Sequence, residues 1–145
     1  MSKRLFAIMF AVTIFAAVYA SAAQAQTSQT IQVKVPFAFK TNNKSLPAGT
    51  YRIAPASDSR IVWTIRDRSN GPAGFLMAMT LAGKADNYAR ATFHRYGDKY
   101  FLVGFKTASY EIDLPKSHQE KNLMAIVPAV PADIVNIPIE LVGSR

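Results

Sequence analysis

The sequence predicts a mainly β fold, an antiparallel β-sandwich or a partly open small β-barrel, with one short helix near the C-terminus. Three observations carry this. Apolar residues recur at every second position in several segments between residues 31 and 141, which is the period of a strand with one buried face. Clusters of Gly, Pro, Asn and Asp separate those segments. Helical spacing appears only around residues 117–126, so there is no strand–helix alternation of the kind that builds a parallel sheet.

Lys3 and Arg4 precede an uncharged, largely apolar run from Leu5 to Ala20, followed by the small-residue signature Ala23-Gln24-Ala25. That order predicts a secretory signal peptide over residues 1–25, cleaved after Ala25, with the product exported to the periplasm or the medium. The run is shorter than the ~20 residues a bilayer-spanning helix needs. Residues 26–30 are expected to be a disordered segment and residues 31–145 a single β domain. The chain contains no cysteine, which excludes disulfides and a lipidated-cysteine anchor and leaves the core to hold the domain.

From Ile31 to Phe39 the odd positions are Ile, Val, Val, Phe and Phe, a half-buried strand. Pro36 falls on its outward set and cannot donate to a ladder, so this strand is expected at a sheet edge or with a bulge there. After the turn-rich TNNKSLPAG, Tyr51 and Ile53 resume the alternation, and Ile61, Trp63 and Ile65 repeat it. Asn70-Gly71 supplies a turn that tolerates positive φ. In FLMAMTL the larger residues Phe75, Met77, Met79 and Leu81 occupy odd positions, and the methionines are expected to fill core gaps.

FHRYGDKYF, residues 93–101, holds the inventory of an active site in a hairpin. A loop of Gly97, Asp98 and Lys99 sets Tyr96 opposite Tyr100 and gathers Ala91, Phe93, Phe101, Val103 and Phe105 on one face, with Arg95 near the turn. Arg90, Thr92, His94, Tyr96, Tyr100 and Lys106 then share the other face. A two-residue loop mixes both faces, so the three-residue loop is expected. His94 would lie on the order of 10 Å from Asp98, beyond the reach of a catalytic pair. On this register Phe93→Ala costs about 3 kcal/mol or more and the water-facing His94→Ala no more than about 1 kcal/mol.

Beyond the extended piece YEIDL, Ser117 and Glu120 have the spacing of a capping box. Leu123, Met124 and Val127 then share a helical face, and Pro128 and Pro131 end the helix. IVNIPIELV, residues 134–142, puts Val135, Ile137, Ile139 and Leu141 on one face and Asn136, Pro138 and Glu140 on the other. These segments amount to seven to nine strands with proline-marked edges at both ends, and a closed, lipocalin-like barrel is the alternative architecture.

Chemistry is sparse. Glu111 and Asp113, two apart on a strand, place carboxyls about 7 Å apart, within the range used by inverting glycosidases, but outward alternating charges explain them more simply. His94 and His118 lie on different elements and leave a zinc site short of ligands. LPKSH lacks the Thr-Gly and hydrophobic tail of a wall-sorting signal. No residue pattern implies a cofactor, a metal or a catalytic site. The 17 basic and nine acidic residues give +8, and loss of Lys3 and Arg4 would leave 15 against nine, or +6. The basic residues are scattered singly, which suits solubility and is a weak nucleic-acid signal. The candidate interaction face is Arg90, His94, Tyr96, Tyr100 and Lys106, suited to an anionic envelope polymer or a protein partner.

VPFAFKTNNKSLPAGTYRI (35–53), FHRYGDKYFL (93–102) and LPKSHQEKNL (114–123) together resemble the hallmarks of a family of short, secreted, uncharacterised bacterial β proteins. The resemblance spans most of the chain after residue 25 and implies export and a shared fold. It transfers no activity, cofactor or catalytic residue. His118 stands where that pattern has another basic residue, which weakens a phosphate- or carboxylate-binding role there. The expected function is therefore a secreted, non-enzymatic β domain that binds or interacts in the cell envelope. The alternatives are a carrier of a small apolar ligand, motivated by Trp63, Met77 and Met79, and a hydrolase using Glu111 or Asp113.

Overall fold

The alternation at the start of the domain forms strand β1 (Thr30–Val35), which buries Ile31, Val33 and Val35. The computed structural model describes residues 30–42, 44–82, 88–126 and 132–143, with backbone alone for residues 80–82. Residues 1–29, on which the expected signal peptide falls, and Val127, Pro128 and Pro131, expected at the end of the helix, lie outside the described residues, as does the side chain of Leu81. No described helix is long and apolar enough to cross a membrane.

Ten further strands follow: β2 (Phe39–Thr41), β3 (Lys44–Leu46), β4 (Gly49–Pro55), β5 (Val62–Asp67), β6 (Pro72–Met77), β7 (Thr80–Ala82), β8 (Arg90–Tyr96), β9 (Lys99–Lys106), β10 (Glu111–Asp113) and β11 (Asp133–Val142). One helix, α1 (His118–Ile126), precedes β11. The total of eleven described strands exceeds the expected seven to nine, because the turn-rich stretch after Pro36 itself forms the β2–β3 hairpin and short β7 and β10 add two more.

The strand order is β3-β2-β9-β8-β11-β1-β4-β5-β6, antiparallel except for a single parallel contact of β2 with β9 at Lys40–Phe101. β9 also pairs with β10, β10 pairs with β7, and β7 continues from β6, which bends the sheet round into a nearly closed, partly open barrel. Its unsealed seam runs between β6 and the β2–β3 hairpin, bridged where the Asn42 amide donates to the Phe75 carbonyl.

The expected edge positions of the proline-bearing strands are corrected. β1 and β11 pair with each other in the middle of the sheet. Pro36 lies just past the end of β1 and interrupts no ladder. β11 pairs with β8 from Asp133 to Pro138 and with β1 from Ile139 to Val142. Ile139 donates its N–H to Ala89 on the β8 side, so the Pro138 nitrogen faces β1, where the ladder has stopped one position short. The missing donor therefore costs no bond.

Buried aromatic rings interlock inside the barrel. Phe39 meets Tyr51 and Phe93 edge-on at 5.3 and 5.4 Å between centroids, and Trp63 meets Phe105 at 5.0 Å. The β6 side chains are opposite to expectation. Leu76, paired with Trp63, is the buried residue, whereas Phe75, Met77 and Met79 are exposed. A register shift beside Ile65 and Arg66 turns both Ala73 and Leu76 inward, and both faces of FLMAMTL are apolar enough that pairing with β5 decides between them. Ile61 precedes β5 and is also exposed.

Candidate functional site

The β8–β9 hairpin turns through two residues, Gly97 and Asp98, with Gly97 at a φ of 63° and Tyr96 opposite Lys99. This corrects the three-residue loop. The mixing of faces that a two-residue loop entails is undone further along by a bulge: Phe93 faces Leu102 and Thr92 faces Gly104, leaving Val103 as the extra residue. Ala91, Phe93, Leu102 and Phe105 thereby all enter the core. Gly104 is needed at this point, because a Cβ there would sit 2.5 Å from the Ile112 carbonyl oxygen of β10.

The new register divides the candidate interaction face. Tyr100 pairs with Arg95, not with Tyr96, and stacks on Phe37 at 3.8 Å between centroids. Phe101 instead pairs with His94 on the outer side, where it is buried. Its cover is α1, whose Gln119, Asn122 and Leu123 face it across a groove.

That helix begins as its sequence predicts, with the Glu120 N–H donating to Ser117 Oγ at 3.1 Å. The reciprocal half of the capping box is replaced. Glu120 is 1% exposed, and its Oε1 accepts from His94 Nδ1 at 2.7 Å and from the Tyr96 hydroxyl at 3.2 Å. A helix of nine residues with Met124 and Ile126 exposed is thus clasped to the sheet through one buried carboxylate. His94 does not simply face water as expected: its side chain is 23% exposed and holds Glu120. Burial first, then the Glu120 charge and hydrogen bond, raises the Tyr96 phenol above its ordinary value and keeps it a donor. Together with the Ser117 cap, these two contacts tie the start of α1 to β8.

Beside the clasp lies a groove of about 300 Å³ lined by Lys40, Lys99, Phe101, Gln119, Asn122, Leu123 and Ile126. Lys40 Nζ lies 6.0 Å from the centre of the Phe101 ring. Two ammonium groups, two amides and an aromatic floor can hold an anionic, hydroxyl-rich ligand, and the lining contains no carboxylate. Sequence reasoning missed this site. The three contributing segments are far apart in the chain, and only the burial of Phe101 on the outer side brings them together.

Arg90 and Lys106, the remaining members of the candidate face, are cross-strand neighbours in a second groove of about 330 Å³ that also holds Glu111, Asp113, Thr92 and Asn136. Glu111 and Asp113 do share one side of β10, as their spacing predicts. Glu111 is engaged by Lys106 at 3.2 Å. Among the described residues no three His, Cys, Asp or Glu side chains gather as a metal site.

Family models, curated proteins and solved structures were all compared with this chain, and none matches it.

Proposed function

We propose that this chain is an exported, non-enzymatic β domain of the cell envelope that binds an anionic envelope polymer in the groove between α1 and the β2–β9 junction. The observation that carries the proposal is the lining itself: Lys40 and Lys99 flank Phe101 and the Gln119 and Asn122 amides, with no carboxylate among them. Lysines at the rim raise the local concentration of a polyanion, and amides and an aromatic face then contact its repeating units. A carrier role loses its motivating side chains, because Met77 and Met79 point outward and Trp63 packs against Phe105 and Tyr110.

The test is binding of acidic polysaccharide extracted from the envelope, measured across a salt series. Affinity is expected to fall steeply with salt, and Lys40→Gln/Lys99→Gln to weaken binding at least about tenfold at low salt. Salt-independent binding, or a double variant that binds like the parent, would overturn the proposal. Export is checked on the same preparation, whose intact mass should correspond to a chain beginning at Gln26.

A further inference from the structure

The open edge of the barrel carries a surface that the polymer groove does not use. Phe75 and Met77 project from the outer side of β6, with Met79 just beyond its end. Ile61 lies beside them, its carbonyl accepting from the Ala78 N–H. These four side chains are 63%, 57%, 73% and 53% exposed. Their apolar area is on the order of 400–500 Å², as large as the largest patch on a typical monomer, and such patches are often functional. From Gly71 to Gly83 the sequence contains no charged residue.

The charges beside this patch identify what covers it. Arg52 of β4 and Arg66 of β5 are direct cross-strand partners on the same outer side, and both are exposed. Like charges directly opposite one another destabilise a sheet pair unless an anion lies over them. Neither makes an ion pair with a described carboxylate, and Arg66 instead donates from Nη1 to the Asn70 carbonyl at 3.3 Å. Arg60 and Arg68 flank β5 at its two ends. The nearby acids are turned elsewhere or set apart. Asp67 Oδ1 accepts from Ser69 and Gly71 N–H, Asp58 lies in the loop before β5, and Glu140 is two strands from Arg52 along the row Arg52, Gln32, Glu140.

An apolar strip beside Arg52 and Arg66, which pair with no described carboxylate, fits an anionic phospholipid surface, where side chains enter the headgroup boundary and guanidinium groups meet phosphates. A second copy seated on this face would add its own Arg52 and Arg66 to the contact and so concentrate like charge there. We propose that the outer side of β5–β6 is a membrane-docking surface for anionic phospholipid, in which Ile61, Phe75, Met77 and Met79 insert and Arg52 and Arg66 bind headgroups.

The absence of cysteine permits a positional test on the chain as recovered from expressing cells. A nitrobenzoxadiazole label is placed on Met77→Cys or, as a control at the hairpin tip, on Asp98→Cys, and each protein is titrated with phosphatidylglycerol–phosphatidylcholine vesicles or with phosphatidylcholine alone. Emission at position 77 is expected to shift to the blue and brighten several-fold with the anionic vesicles only, and position 98 to stay unchanged. Adding Arg52→Gln and Arg66→Gln should weaken binding about 25-fold, from a roughly fivefold contribution per arginine at such a surface. No change at position 77, or an equal change at both positions, would overturn the proposal. So would a change at 77 that grows with protein concentration without vesicles, since that would show a second copy covering the face.

Discussion

Removing the imidazole of His94 is the most informative perturbation of this fold. His94→Ala deletes the 2.7 Å hydrogen bond to Glu120 and leaves a carboxylate that is 1% exposed with only the Tyr96 hydroxyl, at 3.2 Å. A hydrogen bond to a charged group contributes roughly 1.5–3 kcal/mol, and water entering beside the partly exposed imidazole position offsets some of it. The expected loss is therefore about 2 kcal/mol, a fall of roughly 1 M in urea midpoint for a slope of ~2 kcal/mol/M. Replacing both partners, as His94→Ala/Glu120→Leu, removes the stranded charge and should recover to within about 1 kcal/mol of the parent. Equilibrium urea unfolding of the parent, the single variant and the double variant decides the matter. A single-variant loss below about 0.5 kcal/mol would mean that Glu120 reaches water, and a double variant weaker than the single would mean that the clasp is not what isolates the carboxylate.

Three further outcomes follow from the same geometry. Phe93→Ala, at a 1% exposed ring packed edge-on to Phe37 and Phe39, should cost about 3–5 kcal/mol in chemical denaturation; a loss below that of His94→Ala would contradict its core position. Gly104→Ala drives a methyl into the Ile112 carbonyl and should cost about 1–3 kcal/mol, with faster amide exchange in β10 by NMR; unchanged exchange there would contradict the tight β9–β10 approach. The Tyr51, Tyr96 and Tyr110 phenols are all raised above the ordinary 10.0, in each case first by burial. Their neutral forms are favoured in the fold, so the unfolded chain loses these protons first. Stability from them is complete below about pH 10 and is lost as pH rises through the folded values. Urea midpoints should fall between pH 9 and pH 11, and a flat or rising midpoint would contradict the sign.

The strand character of this protein is a local property and was legible in the sequence. Ile31, Val33 and Val35, Tyr51 and Ile53, and Trp63 and Ile65 alternate with polar residues and are buried in the structure, because successive side chains of an extended chain point to opposite sides whatever lies beyond. The start of α1 was equally legible, since the Ser117 cap acts within one turn.

What required the tertiary structure is everything set by the neighbour opposite. The two-residue turn sets Phe101 opposite His94 on the outer side, and the bulge at Val103 returns Phe105 to the core; a pattern of period two contains no mark of an added residue. The direction of Phe75 and Met77 depended on Trp63 pairing with Leu76. Pairing between the two ends of the domain, β1 with β11, relieved both prolines of the edge role that their chemistry alone suggests. Glu120 had a local partner available in its own helix start, yet the imidazole of His94, 26 positions earlier, claimed its carboxylate. Local periodicity decided which segments are strands. Through-space pairing decided which side of each strand is buried and which is exposed, because a side chain's surroundings are set by chain segments distant in sequence.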